Sequence, residues 1–147
     1  MTRGLVASAR TTVDAPISTV WDAFVNPKVI NQYMFGTEVV SEWKKGASIV
    51  WKGVWNGKAY EDKGRILELK RERLISYSHF SPLSGLPDTP ENYHTVTVEL
   101  SRDGSRTAVS LSQDNNPTED ARDHSQNNWE MMLDSLKKLL ETKQRNR

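Results

Sequence analysis

The sequence predicts an α+β fold in which a curved antiparallel sheet wraps around one long C-terminal helix, with two short helices near the N-terminus. Three observations carry this. Residues 39–113 read as a succession of short strands bearing Trp43, Trp51, Trp55, Tyr60, Tyr77 and Phe80. Residues 117–145 read as one amphipathic helix carrying Trp129, and two short apolar patterns at helical spacing precede the strands. A sheet and a helix that are each apolar on one side must bury those sides against each other, which leaves surplus aromatic rings to line a cavity.

The elements follow in order. Residues 5–13 form a strand that alternates imperfectly through Val6, Ala9, Thr11 and Val13 until Asp14-Ala15-Pro16 stops it. Pro16 suits the first position of a helix, where a missing N–H costs nothing, and Ile17, Val20, Trp21 and Phe24 follow at helical spacing. Asn26 caps a second helix from Pro27, with Val29, Ile30, Tyr33 and Met34 three and four apart, and Gly36 releases the chain. In the next strand Ile49, Trp51, Gly53 and Trp55 share one face while Val50, Lys52 and Val54 share the other. Asn56-Gly57 is the strongest short hairpin signal available. On the return strand Gly64 marks a bulge or the close approach of another backbone, where the sheet bends around the helix. Arg71-Glu72-Arg73 turns into residues 74–80; beyond a break, His94, Val96, Val98 and Leu100 align on one face. Asp103-Gly104 turns into a last strand with Thr107, Val109, Leu111 and Gln113 aligned, and tight turns of this kind make the sheet an antiparallel meander. The break, residues 81–92, holds Pro82, Gly85, Pro87 and Pro90, cannot continue a ladder, and is expected to serve as a lid.

For the final helix, Asn116 is the expected cap and Pro117 the first turn. Glu119, Asp120 and Asp123 favour its positive end, and Lys137, Lys138, Lys143 and Arg145 its negative end. Ala121, Trp129, Met132, Leu133, Leu136, Leu139 and Leu140 form the apolar stripe. Its first half is thin, and His124, Ser125 and Asn128 are poor core residues. Two readings stay open for that half: it faces a solvated cavity, or it frays toward solvent.

Composition bounds the function. A chain of 147 residues is long enough for one core, so one domain over residues 1–147 is expected. Twenty basic and nineteen acidic residues nearly cancel, which removes the electrostatic drive toward nucleic acid or an anionic membrane. No cysteine is present, so thiolate metal sites, disulfides and a cysteine nucleophile are excluded. Leu5-Val6-Ala7 is too short for a secretory segment, and no stretch approaches the ~20 apolar residues of a membrane span, so a cytoplasmic location is expected.

His79 and His94 flank the break and each lies on the expected concave face, so the two imidazoles are expected to meet near a cavity mouth. The spacing supports no metal site, and a hydrogen-bonding role fits better, with burial keeping both rings neutral and ligand binding falling in acid. Asp62 and Glu61 have the chemistry of an acid or base, yet no partner stands at fixed spacing. Neither a G-x-S-x-G elbow nor a glycine-rich phosphate loop occurs, and no cofactor is expected. Trp21 and Trp129 lie on helical stripes and read as core. Trp51 and Trp55, with Trp43 upstream, supply more ring surface than packing requires. The candidate ligand-binding residues are therefore Trp51, Trp55, Tyr77, His79, His94, Gln113, His124 and Asn128.

The stretches Asn26 to Gly36, Trp43 to Trp51, Asn56 to Gly64 and Tyr77 to Gly85 resemble the bacterial branch of the START-like superfamily. More narrowly, they resemble the bacterial homologues of the activator of the ninety-kilodalton heat-shock protein ATPase, and the likeness extends over about residues 7–140. The resemblance implies a helix-grip fold with a ligand cavity between sheet and last helix. Asn128 departs from it, since relatives often carry glycine before the tryptophan, and the helix is expected to sit farther from the sheet. Three functions follow as expectations, in this order: carrier or sensor of a small, largely apolar molecule; a co-chaperone-like module that acts on a heat-shock chaperone in a stress response; a cyclase- or hydrolase-like enzyme using His79, His94, Tyr77 and Gln113.

Overall fold

A computed structural model describes residues 4–145. Strand β1 (Leu5–Val13) leads into helices α1 (Ile17–Val25) and α2 (Pro27–Tyr33). Strands β2 (Glu38–Ser41), β3 (Ser48–Trp55), β4 (Lys58–Lys70), β5 (Leu74–His79), β6 (His94–Asp103) and β7 (Arg106–Asn116) follow, and helix α3 (Glu119–Arg145) comes last. The strands form a seven-stranded antiparallel sheet in the order β1-β7-β6-β5-β4-β3-β2. β2 to β7 meander as the turns predict, whereas β1 pairs with β7 at the far edge from β2. The connection between β1 and β2 must therefore cross the sheet, and α1 and α2 make that crossing.

Alternation explains the concave face. Ile49 and Trp51 of β3, Ile75 of β5, Val96, Val98 and Leu100 of β6, and Val109 and Leu111 of β7 are buried. They meet Met132, Leu133, Leu136 and Leu140 of α3 in one core. At its C-terminal half α3 is also pinned to β1: Lys137 Nζ donates to the Thr12 carbonyl (2.5 Å), and Glu141 accepts from the Asp14 amide (2.9 Å). No helix among the described residues is long and apolar enough to cross a membrane.

Local chemistry sets the turns. Asn56 (φ 50°) and Gly57 (φ 77°) both take the left-handed backbone that a type I′ hairpin requires. Gly64 is the close approach expected of it, because a Cβ there would lie 1.7 Å from the Ser78 carbonyl oxygen of β5. Asn26 caps α2 through its side chain, which accepts from the Lys28 amide (3.1 Å).

Three expectations change. Pro16 occupies the N-cap of α1 and not its first turn. Asn116 does not cap α3: β7 continues through it, and the Ala121 amide donates to Thr118 Oγ1 (3.1 Å) instead. The segment 81–92, two short 3₁₀ turns, is fastened to the convex side of the sheet and does not lie over the concave one. Phe80 and Lys63 pair across the ladder, each one residue from the concave-facing His79 and Asp62, so alternation turns them outward. Phe80 stacks on Tyr93 (5.2 Å between centroids), Tyr93 Oη donates to Asp88 (2.6 Å), and Lys63 forms an ion pair with the same carboxylate.

Removing the chain from Pro117 onward is expected to abolish cooperative unfolding, since it strips the cover from the concave face. Leu136→Ala alone is expected to cost about 2–5 kcal/mol in a denaturant titration, as Leu136 has no exposed surface. A truncated chain that melts cooperatively would contradict this account of the core. Gly64→Ala is expected to destabilise by roughly 1–3 kcal/mol or more, because relief requires a backbone shift between β4 and β5.

Candidate functional site

A cavity of about 30 Å³ lies between the concave face, α2 and α3. Its wall is almost wholly apolar and includes Met34, Trp43, Trp51, Tyr77, Trp129 and Met132. One water needs roughly 10–15 Å³ of such space and small-molecule pockets start near ~300 Å³, so the closed cavity holds a water or two and no larger guest. Met34, Trp43 and Trp129 are only partly buried. Tyr77 is partly buried as well, and of these four Trp129 is tied to Gln113 of β7. Trp43 reaches the cavity from the β2–β3 connection, with left-handed backbone (φ 54°).

Two tyrosines supply the polarity. Tyr33 is fully buried, and its hydroxyl donates to the Ala23 carbonyl (2.6 Å). Tyr77, tilted against Trp51 with centroids 5.0 Å apart, has no hydrogen-bond partner for its hydroxyl among the described residues. Burial pushes both phenols well above their usual pKa, with the neighbouring Tyr77 adding to the effect on Tyr33.

Beside Trp51 the concave face turns polar. His79 packs its ring edge-on to Trp51 (5.1 Å) and stacks on His94 (6.1 Å), so the two imidazoles meet. His79 Nε2 donates to Asp62 Oδ2 (2.9 Å), and His94 Nδ1 donates to the Asp114 carbonyl (2.8 Å). Asp62 is the partner that spacing alone did not reveal. It stands directly opposite Trp51 in the β3–β4 ladder, and its other oxygen, Oδ1, is buried with no hydrogen-bond partner. Among the described residues no group of three His, Cys, Asp or Glu is placed to hold a metal ion.

The two imidazoles thus meet as expected but beyond Trp51, not among the residues that line the cavity, and other expected site residues go elsewhere. Gln113 is buried and spends its side chain on α3 and on its own strand: Oε1 accepts from Trp129 Nε1 (2.6 Å), while Nε2 donates to Ser125 of α3 (3.4 Å) and to Asn116 of β7 (3.3 Å). A bulge in β7 makes this possible, since Leu5 pairs with Asn116 and Ala7 with Gln113, and Asn115 (φ 58°) turns Asn116 inward. His124 and Asn128 are exposed. Each sits one residue, about 100° around the helix, from the inward Ser125 and Trp129. Neither joins the cavity, and with its side chain in solvent Asn128 does not hold α3 off the sheet. The side chain of Trp55 lies outside the described residues. Sequence reasoning missed the helical wall: Phe24, Ile30, Tyr33 and Met34 carry the apolar spacing of α1 and α2 but read there as core only.

A curved antiparallel sheet closed by a C-terminal helix over an aromatic cavity defines a helix-grip protein of the START-like superfamily. Residues 14–141 match the family described as activator of Hsp90 ATPase homolog 1-like protein, and the chain belongs to that family. A Cytophaga hutchinsonii protein of known solution structure is 55% identical, with a TM-score of 0.84 over 97% of this chain and 98% of the other. A Chromobacterium violaceum protein, 20% identical over 92% and 96% of the two chains, has a TM-score of 0.76. The Aha1 dimer of Colwellia psychrerythraea, 18% identical over 92% and 96%, has a TM-score of 0.73. The last two share the fold. No curated protein matches the chain.

The raised phenols generate an alkaline prediction. Below the unfolded value near ~10 both states are neutral and the stability is fully present; above it only the unfolded chain ionises, so stability falls as pH rises toward the folded values. The loss is expected to reach up to roughly 1.4 kcal/mol per pH unit for each phenol. Denaturant titrations between about pH 9 and about pH 11 check it. The Tyr33→Phe, Tyr77→Phe double variant should flatten that limb, with Tyr93 and Lys63, both also raised, accounting for what is left, and an unchanged slope would show that other groups cause it.

Proposed function

We propose that this chain binds a small, largely apolar molecule in the cavity between the sheet and α3. The observation that carries the reading is the Tyr77 hydroxyl: a neutral polar group without a partner among the described residues, on the wall of an otherwise apolar cavity. Tyr77 is partly buried, and a ligand that covers its ring and bonds its hydroxyl gains a hydrogen bond that the closed protein does not make. Trp51 supplies ring surface beside it, and His79 and His94 stand beyond Trp51, outside the cavity wall. Entry requires part of the wall to move, and Met34 and Trp43 are partly buried wall residues whose side chains are in no hydrogen bond among the described residues. Helix-grip relatives that carry ligands place them in this same region, an analogy of fold that supports the reading without identifying the ligand.

A naphthalene-based fluorescent probe is expected to bind the folded protein at about one equivalent, because one cavity of this kind is present among the described residues. Trp51→Ala is expected to weaken that binding more, per unit of lost stability, than Trp21→Ala, although both indoles are buried. Equal effects would reduce Trp51 to core packing, and no saturable binding at all would remove the reading. The family's name favours a second function, stimulation of a chaperone ATPase. A module acting that way would raise the partner's rate equally with the cavity filled or empty, whereas a ligand sensor would not.

A further inference from the structure

We infer that the cavity's ligand carries a hydrogen-bond donor, a protonated amine in the first place, which docks on Asp62. This rests on the ligand-binding reading above and names the head group that the site selects. Asp62 is an acidic side chain with 16% exposure set into the concave face, opposite Trp51 and bonded on one oxygen to His79. Its Oδ1 is the one buried side-chain polar atom without a hydrogen-bond partner among the described residues. An orphaned carboxylate oxygen is an acceptor kept out of water, and leaving it unmade costs more than any neutral group would.

The surroundings decide what satisfies it. Lys52 and Lys63, on either side in the ladder, point from the convex face and pair with Glu61 and Asp88. No lysine or arginine forms an ion pair with Asp62 among the described residues, which leaves His79 as its partner. The wall of this end is aromatic: Trp51 contacts Tyr77 on the cavity side and His79 on the Asp62 side. A molecule with its apolar body against Tyr77 and Trp51 therefore brings its head to Asp62 once the Trp51 ring gives way. An anionic head would meet a carboxylate in a water-poor site and be rejected; a bare hydrocarbon would leave Oδ1 unpaired; an ammonium satisfies both charge and hydrogen bond.

Three probes that share one apolar body test this: 1-naphthylmethylammonium, 1-methylnaphthalene and 1-naphthoate, titrated into the full chain near neutral pH. The ammonium is expected to bind roughly tenfold or more tighter than the hydrocarbon, and naphthoate weakest. Asp62→Asn should erase that preference while hydrocarbon affinity stays within about twofold, since the amide keeps the shape and loses the charge. The variant's melting temperature should equal or exceed that of the parent, because the amide keeps an oxygen to accept from His79 Nε2 and removes a charge held out of water. Binding of the hydrocarbon and ammonium with equal affinity, or an ammonium preference that survives Asp62→Asn, overturns the head-group assignment and leaves the apolar cavity standing. If no probe binds, the cavity reading itself fails. A marked drop in melting temperature for Asp62→Asn would show instead that the carboxylate is a structural partner of His79, and a parallel Asp62→Glu variant that keeps the fold but fails to restore the preference would confirm that reversal.

Discussion

Everything in this molecule depends on α3 lying across the concave face of a sheet too curved to cover itself. The buried leucines of α3 provide the adhesion, and hydrogen bonds at its two ends set the position. At one end Lys137 and Glu141 bind the β1 backbone. At the other, Trp129 donates to Gln113 of β7. Between these points the helix faces the sheet with a dry core in its second half and a small cavity in its first. The cavity is thus a consequence of how the helix is held.

That arrangement gives Gln113 an indirect part in any binding. It orients the Trp129 indole, which forms one wall, so the polar knot of Gln113, Asn116 and Ser125 fixes the cavity's dimension without touching what enters it. Asp62 and His79 stand differently. Their bond leaves one carboxylate oxygen unsatisfied in a region where nearly every other buried polar atom is paired, and local inconsistency of that kind is where natural sequences put function at the expense of stability.

The fold was legible because its signals are local. Period-two alternation placed Ile49, Trp51, His94, Val96 and Leu111 on one face, and Asn56-Gly57, Asn26-Pro27 and Gly64 each acted through their own backbone chemistry. The meeting of His79 and His94 was also readable, as both lie on strands whose faces were clear. The Asp62–His79 bond was not, because it depends on the register between β4 and β5, which shifts at a bulge between Ile66 and Glu68 that no residue pattern announces. His124 and Asn128 were misplaced by a single helical step, an error that a thin apolar stripe cannot correct. The loop at 81–92 was misread for a different reason: its composition says that it leaves the sheet, and only the side from which Phe80 and Tyr93 depart says where it goes.

The pairing of β1 with β7 has a temporal consequence. Ala7 aligns with Gln113, so the first strand of this sheet to be synthesised has no neighbour until more than a hundred further residues have followed. Every other pairing in the sheet joins consecutive strands, the longest connection among them being the segment between His79 and His94. The hairpins from β2 onward are thus free to form early, while β1 waits with both edges bare and the concave face stays uncovered until α3 emerges. Such long-range closure slows folding and leaves apolar surface open to other chains in the interval. The strand that completes the mature sheet is thus the last to find its partner.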